Sequence, residues 1–186
     1  MSRFDRDDYI FRDQDVLDTG YEPEELEERD DELDAYANAL RPVIKGWNPN
    51  NIFVYGDTGI GKTVTTHAIL KDLYEASEQY DDLGLNIIEL NCTNTTSSYQ
   101  VAIHLVNEIR KPEDEKEPLT TVTTRREPMS ETGYQAKRVF NELYKDLNDI
   151  GGTILIVLDE IDSIGDDDAL LYELPRAHTI TFRNST

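Results

Sequence analysis

The chain has 186 residues, with 39 acidic against 18 basic side chains and a formal net charge of −21. No run of eighteen apolar residues occurs, so no membrane span is expected, and the charged start MSRFDRDDY does not have the make-up of a signal peptide. A single cysteine, Cys92, excludes an internal disulfide and a cysteine metal cluster.

These features together fit a reducing intracellular compartment, the cytoplasm. The acid is spread along the chain rather than gathered in a tail. Such a charge strains a folded domain by self-repulsion in dilute buffer. In molar salt the Debye length falls to about 3 Å and the strain is screened. A salt-loving host is the preferred explanation, and partial disorder is the alternative. The same charge disfavours a broad nucleic-acid-binding face.

In chain order, residues 1–20 are polar with scattered Phe4, Tyr9, Phe11, Val16 and Leu17, and read as an extended arm. Pro23 can open a helix, and Leu26, Leu33, Ala37 and Leu40 mark an apolar stripe over residues 24–40. Pro42 is expected to kink or restart it. The loop GWNPN leads to residues 51–55 (NIFVY), which read as a buried strand. Trp47 beside it reads as a core residue. Residues 56–63 (GDTGIGKT) follow, and then Ile69, Leu70 and Leu73 at helical spacing through Tyr74. Residues 86–90 (NIIEL) read as a second strand and 99–109 as a helix. Residues 110–133, with three prolines and many threonines, read as a long mobile loop or insertion. Val139, Phe140, Leu143, Tyr144 and Leu147 mark a third amphipathic helix over 134–150, broken by Gly151 and Gly152. The run TILIVLDEID over 153–162 reads as a fully buried parallel strand that ends in acid. His67, His104 and His178 lack metal-site spacing and read as packing or surface residues, and Cys92 as an inert small residue.

Two of these stretches carry chemistry. Residues 56–63 fit G-x-x-x-x-G-K-[ST] between a predicted strand and a predicted helix, the context this pattern needs. Gly56, Gly59 and Gly61 let the backbone turn and approach a ligand without a Cβ. Backbone N–H groups from Gly56, Asp57, Thr58, Gly59, Ile60, Gly61, Lys62, Thr63 and Val64 would then line one anion cradle at a helix N-terminus. Lys62 supplies a mobile charge for the outer phosphates, and Thr63 a hydroxyl for Mg²⁺. The acidic strand end delivers Asp159 to the same Mg²⁺ and offers Glu160 as base for an attacking water. A glycine turn and a solvated strand end are the bland readings, but the two halves together supply one metal site. The expected cofactors are therefore ATP and Mg²⁺.

The phosphate loop GDTGIGKT, the acidic strand ILIVLDEID and the upstream YEPEELEERDDELDAYANAL resemble the archaeal replication initiators. These are AAA+ ATPases similar to both the large origin-recognition-complex subunit and the cell-division-control helicase loader. NCTNTTSSYQVAIHLVNEI and ETGYQAKRVFNELY resemble them as well. The resemblance implies a partial AAA+ fold of the α/β class, a parallel sheet flanked by helices. Residues 1–47 would form an N-terminal arm and adenine-side helix, and residues 48–176 the nucleotide-binding domain with the insertion 110–133. Residues 177–186 are a divergent tail in which 179–182 (TITF) could form a short strand. Tyr21, Pro23 and Arg29 would fall near the adenine.

The family continues beyond this point with a further strand, a sensor, an arginine finger, a lid and a winged helix. The missing strand belongs between the phosphate-loop strand and the acidic strand. Weak ATP affinity and little hydrolysis are thus expected of this chain alone, with origin DNA met through the missing C-terminal domain. Three functional readings stand at this point. They are the ATP-binding segment of an initiator, a non-catalytic protein that assembles with full-length initiators, and an unrelated phosphate-loop ATPase.

Overall fold

The computed structural model describes residues 29–47, 50–80, 83–167 and 169–174. Its regular elements are α1 (Asp30–Ile44), α2 (Lys62–Ser77), β1 (Leu85–Asn91), α3 (Ser98–Arg110), α4 (Ala136–Ile150) and β2 (Thr153–Asp159). The α/β class is as expected, and the second strand, the acidic strand and the helices fall where their periodicity puts them. The predicted start of the first helix, at 24–28, the tail 177–186 and His178 lie outside the described residues.

β1 and β2 pair in parallel, from Leu85↔Thr153 to Asn91↔Asp159. Two glycines set that register. Gly151 closes α4 at a positive φ of 68°, its N–H donating to the Leu147 carbonyl at 3.2 Å. Gly152 also has φ +68°, and a Cβ there would lie 2.2 Å from the Gly84 carbonyl oxygen. The two segments therefore touch backbone to backbone, and the Thr153 N–H donates to the Gly84 carbonyl at 3.2 Å. Both strands start level and end level.

Alternate side chains enter two separate cores. Ile88 and Leu90 of β1 join Val101, Leu105, Val106 and Ile109 of α3 and Val139 and Leu143 of α4. Leu85 and Ile87 join Leu40 and Val43 of α1 and Leu70 and Leu73 of α2, with Leu155 and Val157 of β2 against them. The result is a three-layer sandwich with the sheet in the middle. Helix α1 runs through Pro42 rather than kinking there. Pro42 sits in the last turn, and its carbonyl accepts the N–H groups of Lys45 and Trp47 as the helix closes.

Three expectations need correction. Residues 51–55 form no strand; Phe53 is 77% exposed and Tyr55 82%, their rings stacked 6.3 Å apart. The sheet among the described residues has two strands, β1 and β2, so this segment has no ladder to join. For the same reason β2 is half-buried along its whole length rather than fully buried. Trp47, at 64% exposure, is not a core residue, and the Lys45 ammonium lies over its ring.

The insertion 110–133 begins at the last residue of α3 and is otherwise a loop, apart from a short 3₁₀ turn at Glu113–Glu115, but it is pinned to the sheet. The Thr121 N–H donates to the Ile87 carbonyl, and Thr121 and Thr120 hydroxyls accept the N–H groups of Ile87 and Glu89. These bonds cover the outer edge of β1. Val122 and Met129 are buried in the α3/α4 core. Arg110 and Arg126 both grip the buried Asp146 of α4, at 2.8 and 2.7 Å.

Substituting Gly152→Ala should destabilise the domain by about 2 kcal/mol or more, since it adds both an unfavourable φ and a backbone clash. Equilibrium denaturation in molar KCl measures this, and Gly165→Ala, with positive φ but open space around it, is the milder control.

Candidate functional site

The loop between residue 55 and α2 is built for backbone approach. Gly56, Gly59 and Gly61 have φ of +154°, +81° and +86°. A Cβ on Gly56 would lie 2.5 Å from Ile60 Cδ1, the tip of an exposed side chain that would have to move aside, and the φ of +154° itself disfavours a side chain there. Gly61 caps α2 without a side-chain hydrogen bond, and the first turn carries no acidic residue. In a chain of net charge −21 that turn would ordinarily attract Asp or Glu. Its bare N–H groups, including those of Lys62, Thr63 and Val64, are left for an anion.

Lys62 and Thr63 diverge from that turn. The Lys62 ammonium curls back over its own loop, donating to the Gly56 carbonyl at 3.0 Å and the Asp57 carbonyl at 3.1 Å. The Thr63 hydroxyl donates to Asp159 Oδ2 at 2.8 Å, across 96 residues of sequence. The other carboxylate oxygen of Asp159 accepts the Glu160 N–H at 3.0 Å. Glu160 is the one non-glycine among the described residues with positive φ, 54°. That backbone turns the chain away from β2 into the 3₁₀ turn Ile161–Ile164, and such uncommon conformations cluster at functional sites. Thus the structure brings together Thr63, Asp159 and the loop carrying Lys62, with Glu160 next in line.

Asp57, Thr58 and Ile60 are exposed on the loop. Arg29 reaches that loop as well. Its guanidinium donates to the Ile60 carbonyl and, at 3.3 Å, to Glu32. Arg29 thus ties the start of α1 to the glycine loop. Tyr21 and Pro23 lie outside the described residues.

The donor set suits a magnesium nucleotide. Mg²⁺ takes hard oxygens, keeps several waters and needs only one or two protein ligands beside the phosphates. A threonine hydroxyl and a carboxylate 2.8 Å apart meet that demand. The glycine cradle and the lysine meet that of the phosphates.

Two contacts behind the loop have no motif to announce them. Tyr36 of α1 and Thr66 of α2 share a hydroxyl–hydroxyl bond of 2.9 Å, and burial raises the Tyr36 phenol above its ordinary value. His67 of α2 meets the buried Glu89 of β1 at 2.5 Å. A charge inside the apolar run NIIEL is the one signal the sequence offers for that pair. Cys92, just past β1, is fully buried, and burial pushes its thiol up to about 11. That contribution to stability is complete below the thiol's ordinary value of 9.0 and fades as pH rises towards 11. Iodoacetamide at pH 8 should leave the native protein unmodified and label it rapidly once unfolded; mass spectrometry reads both.

A family model described as an AAA domain matches residues 48–185. The ORC1-type DNA replication protein 15 of Haloarcula marismortui is 54% identical over 177 residues, which is 95% of this chain and 40% of that protein. The ORC1-type DNA replication protein 10 of Halobacterium salinarum is 51% identical over 179 residues, 96% of this chain and 40% of the relative. Among solved structures, the Aeropyrum pernix ORC1 protein in complex with DNA matches with a TM-score of 0.71 at 28% identity. That match covers 91% of this chain and 41% of the other. The chain therefore spans about 40% of the length of the curated relatives it matches.

Proposed function

The chain belongs to the AAA domain family, and on that footing we propose that it is the ATP-binding segment of a DNA replication initiator. The observation that carries the reading is the 2.8 Å bond between Thr63 and Asp159. It joins the glycine loop and the acidic strand into one oxygen-lined corner, as a shared metal site requires.

In this reading residues 56–64 receive the phosphates of ATP through backbone N–H groups. Lys62 leaves the Gly56 and Asp57 carbonyls for the outer phosphates. Thr63 and Asp159 hold Mg²⁺, which supplies positive charge against the phosphate oxygens when bound. Glu160 takes the proton of an attacking water. Arg29 braces the loop through the Ile60 carbonyl. Origin recognition and helicase loading are the work of the whole initiator, whose relatives are named as replication proteins. The strongly acidic segment is a poor partner for a phosphate backbone, so origin DNA falls to other parts of the initiator.

A second reading has its own observation. Ile52, Phe53, Val54 and Tyr55 are exposed, and among the described residues no second strand pairs with β2. Exposed apolar surface and a free strand edge each favour assembly. The segment would then act by joining full-length initiators rather than by turning over ATP.

Titration of labelled ATP in molar KCl tests the first reading. The wild-type chain should bind ATP more tightly with Mg²⁺ than without, and Lys62→Ala should weaken binding by about tenfold or more, the equivalent of one charge-assisted contact. Equal binding by the Lys62→Ala variant would overturn it. A pull-down of a full-length ORC1-type protein with and without ATP tests the second, which requires capture by a variant that cannot hydrolyse, such as Glu160→Gln.

A further inference from the structure

The pair His67–Glu89 lies outside the nucleotide corner, yet it shares that corner's framework. On β2, Leu155 and Val157 face α2, and Asp159 follows at the same two-residue spacing. On β1, Leu85 and Ile87 face the same side, followed by Glu89. Glu89 pairs with Val157 in register, and Asn91 with Asp159. Helix α2 lies across both strands. Thr63 and His67, four residues apart, occupy one face of it. Thr63 reaches Asp159 on β2, while His67 reaches Glu89 on β1. The helix is thus tied to the sheet at two points one turn apart, and only the first is aimed at the nucleotide.

Glu89 is itself held from behind. It is 4% exposed, and both its carboxylate oxygens are engaged. Oε1 meets His67 at 2.5 Å, and Oε2 accepts the Leu119 N–H at 3.2 Å. The Glu89 N–H donates to Thr120. A carboxylate buried in an apolar strand adds little net stability over a well-packed aliphatic residue. What it does supply is a fixed direction.

We propose that Glu89 is a positioning residue of the nucleotide site. Through His67 it fixes the first turns of α2 over the sheet, and so fixes where Thr63 meets Asp159. The inference deepens the nucleotide-binding reading and rests on it for its functional consequence, but its geometric core can be tested without nucleotide.

The experiment has two readouts, both in molar KCl. The first is a thermal-unfolding cycle on the wild type, Glu89→Gln, Thr63→Val and the double variant, with no nucleotide present. A glutamine is uncharged and replaces one of the two acceptor oxygens by an NH₂ donor, so it can pair with both His67 and the Leu119 N–H only if the imidazole changes tautomer, and it loses the carboxylate's charge in either case. Independent sites add in such a cycle, so coupling should make the double variant's loss of Tm smaller than the summed single losses by about a quarter or more. Strict additivity overturns the proposal. The second readout is the ratio of ATP affinity with and without Mg²⁺. In Glu89→Gln this ratio should fall about fivefold or more, while Mg²⁺-free affinity stays within about twofold. An unchanged ratio overturns the proposal too, since a purely structural role would lower Tm and leave the ratio alone. If the wild type binds no ATP, the nucleotide reading fails and the unfolding cycle still decides the coupling. If Glu89→Gln does not fold, the comparison passes to His67→Gln, which keeps a donor and should retain coupling, against His67→Leu, which should lose it.

Discussion

The register of β1 on β2, from Leu85↔Thr153 to Asn91↔Asp159, is the constraint on which the Thr63–Asp159 corner depends. A shift of one residue would send Asp159 to the α3/α4 face and bring Leu158 beneath Thr63. Nothing in the glycine loop could compensate, because Thr63 sits on the first turn of a helix packed on the sheet. The register is set by backbone contact between Gly84 and Gly152, at the end of the strands farthest from the site. A steric condition at one end of the sheet thereby determines an electrostatic one at the other.

Most of this frame could be read in the sequence because local and global preferences agree there. The run TILIVLD is β-branched and apolar, α4 has a clean apolar stripe, and α3 is opened by Ser97, whose hydroxyl accepts the Gln100 N–H. The two phosphate motifs were legible because their chemistry fixes their spelling. What could not be read depended on neighbours. Residues 51–55 have strand composition, but a strand exists only where another strand receives its hydrogen bonds. Trp47 has core composition, but no apolar wall meets it. The threonines of 110–133 look like loop residues and are loop residues. Their role as hydrogen-bond partners of β1 depends on a strand some thirty residues away.

The polar contacts around the site form a graded series. At the loop, Lys62 bonds to main-chain carbonyls that offer no net charge, while Arg29 divides its guanidinium between the Ile60 carbonyl and Glu32. In the corner, Thr63 meets one carboxylate oxygen of Asp159. Behind it, Glu89 has both oxygens committed in a buried setting. Each acid has both carboxylate oxygens engaged, and what rises from the corner to the interior is burial, from the half-buried Asp159 to Glu89. In the nucleotide-binding reading Lys62 can exchange neutral partners for phosphate oxygens, while Arg29 and the carboxylate at the rear hold the frame.

The strap of Thr120 and Thr121 along β1 gives the sheet a polarity of growth. Its outer edge already has its backbone groups answered at Ile87 and Glu89. Among the described residues the margin left for an added strand is therefore that of β2. A sheet with one closed and one open margin cannot extend indefinitely by repeating the same contact. A margin whose backbone groups are already bonded cannot receive a further strand, so the threonine strap acts as a stop to edge-to-edge addition on that side.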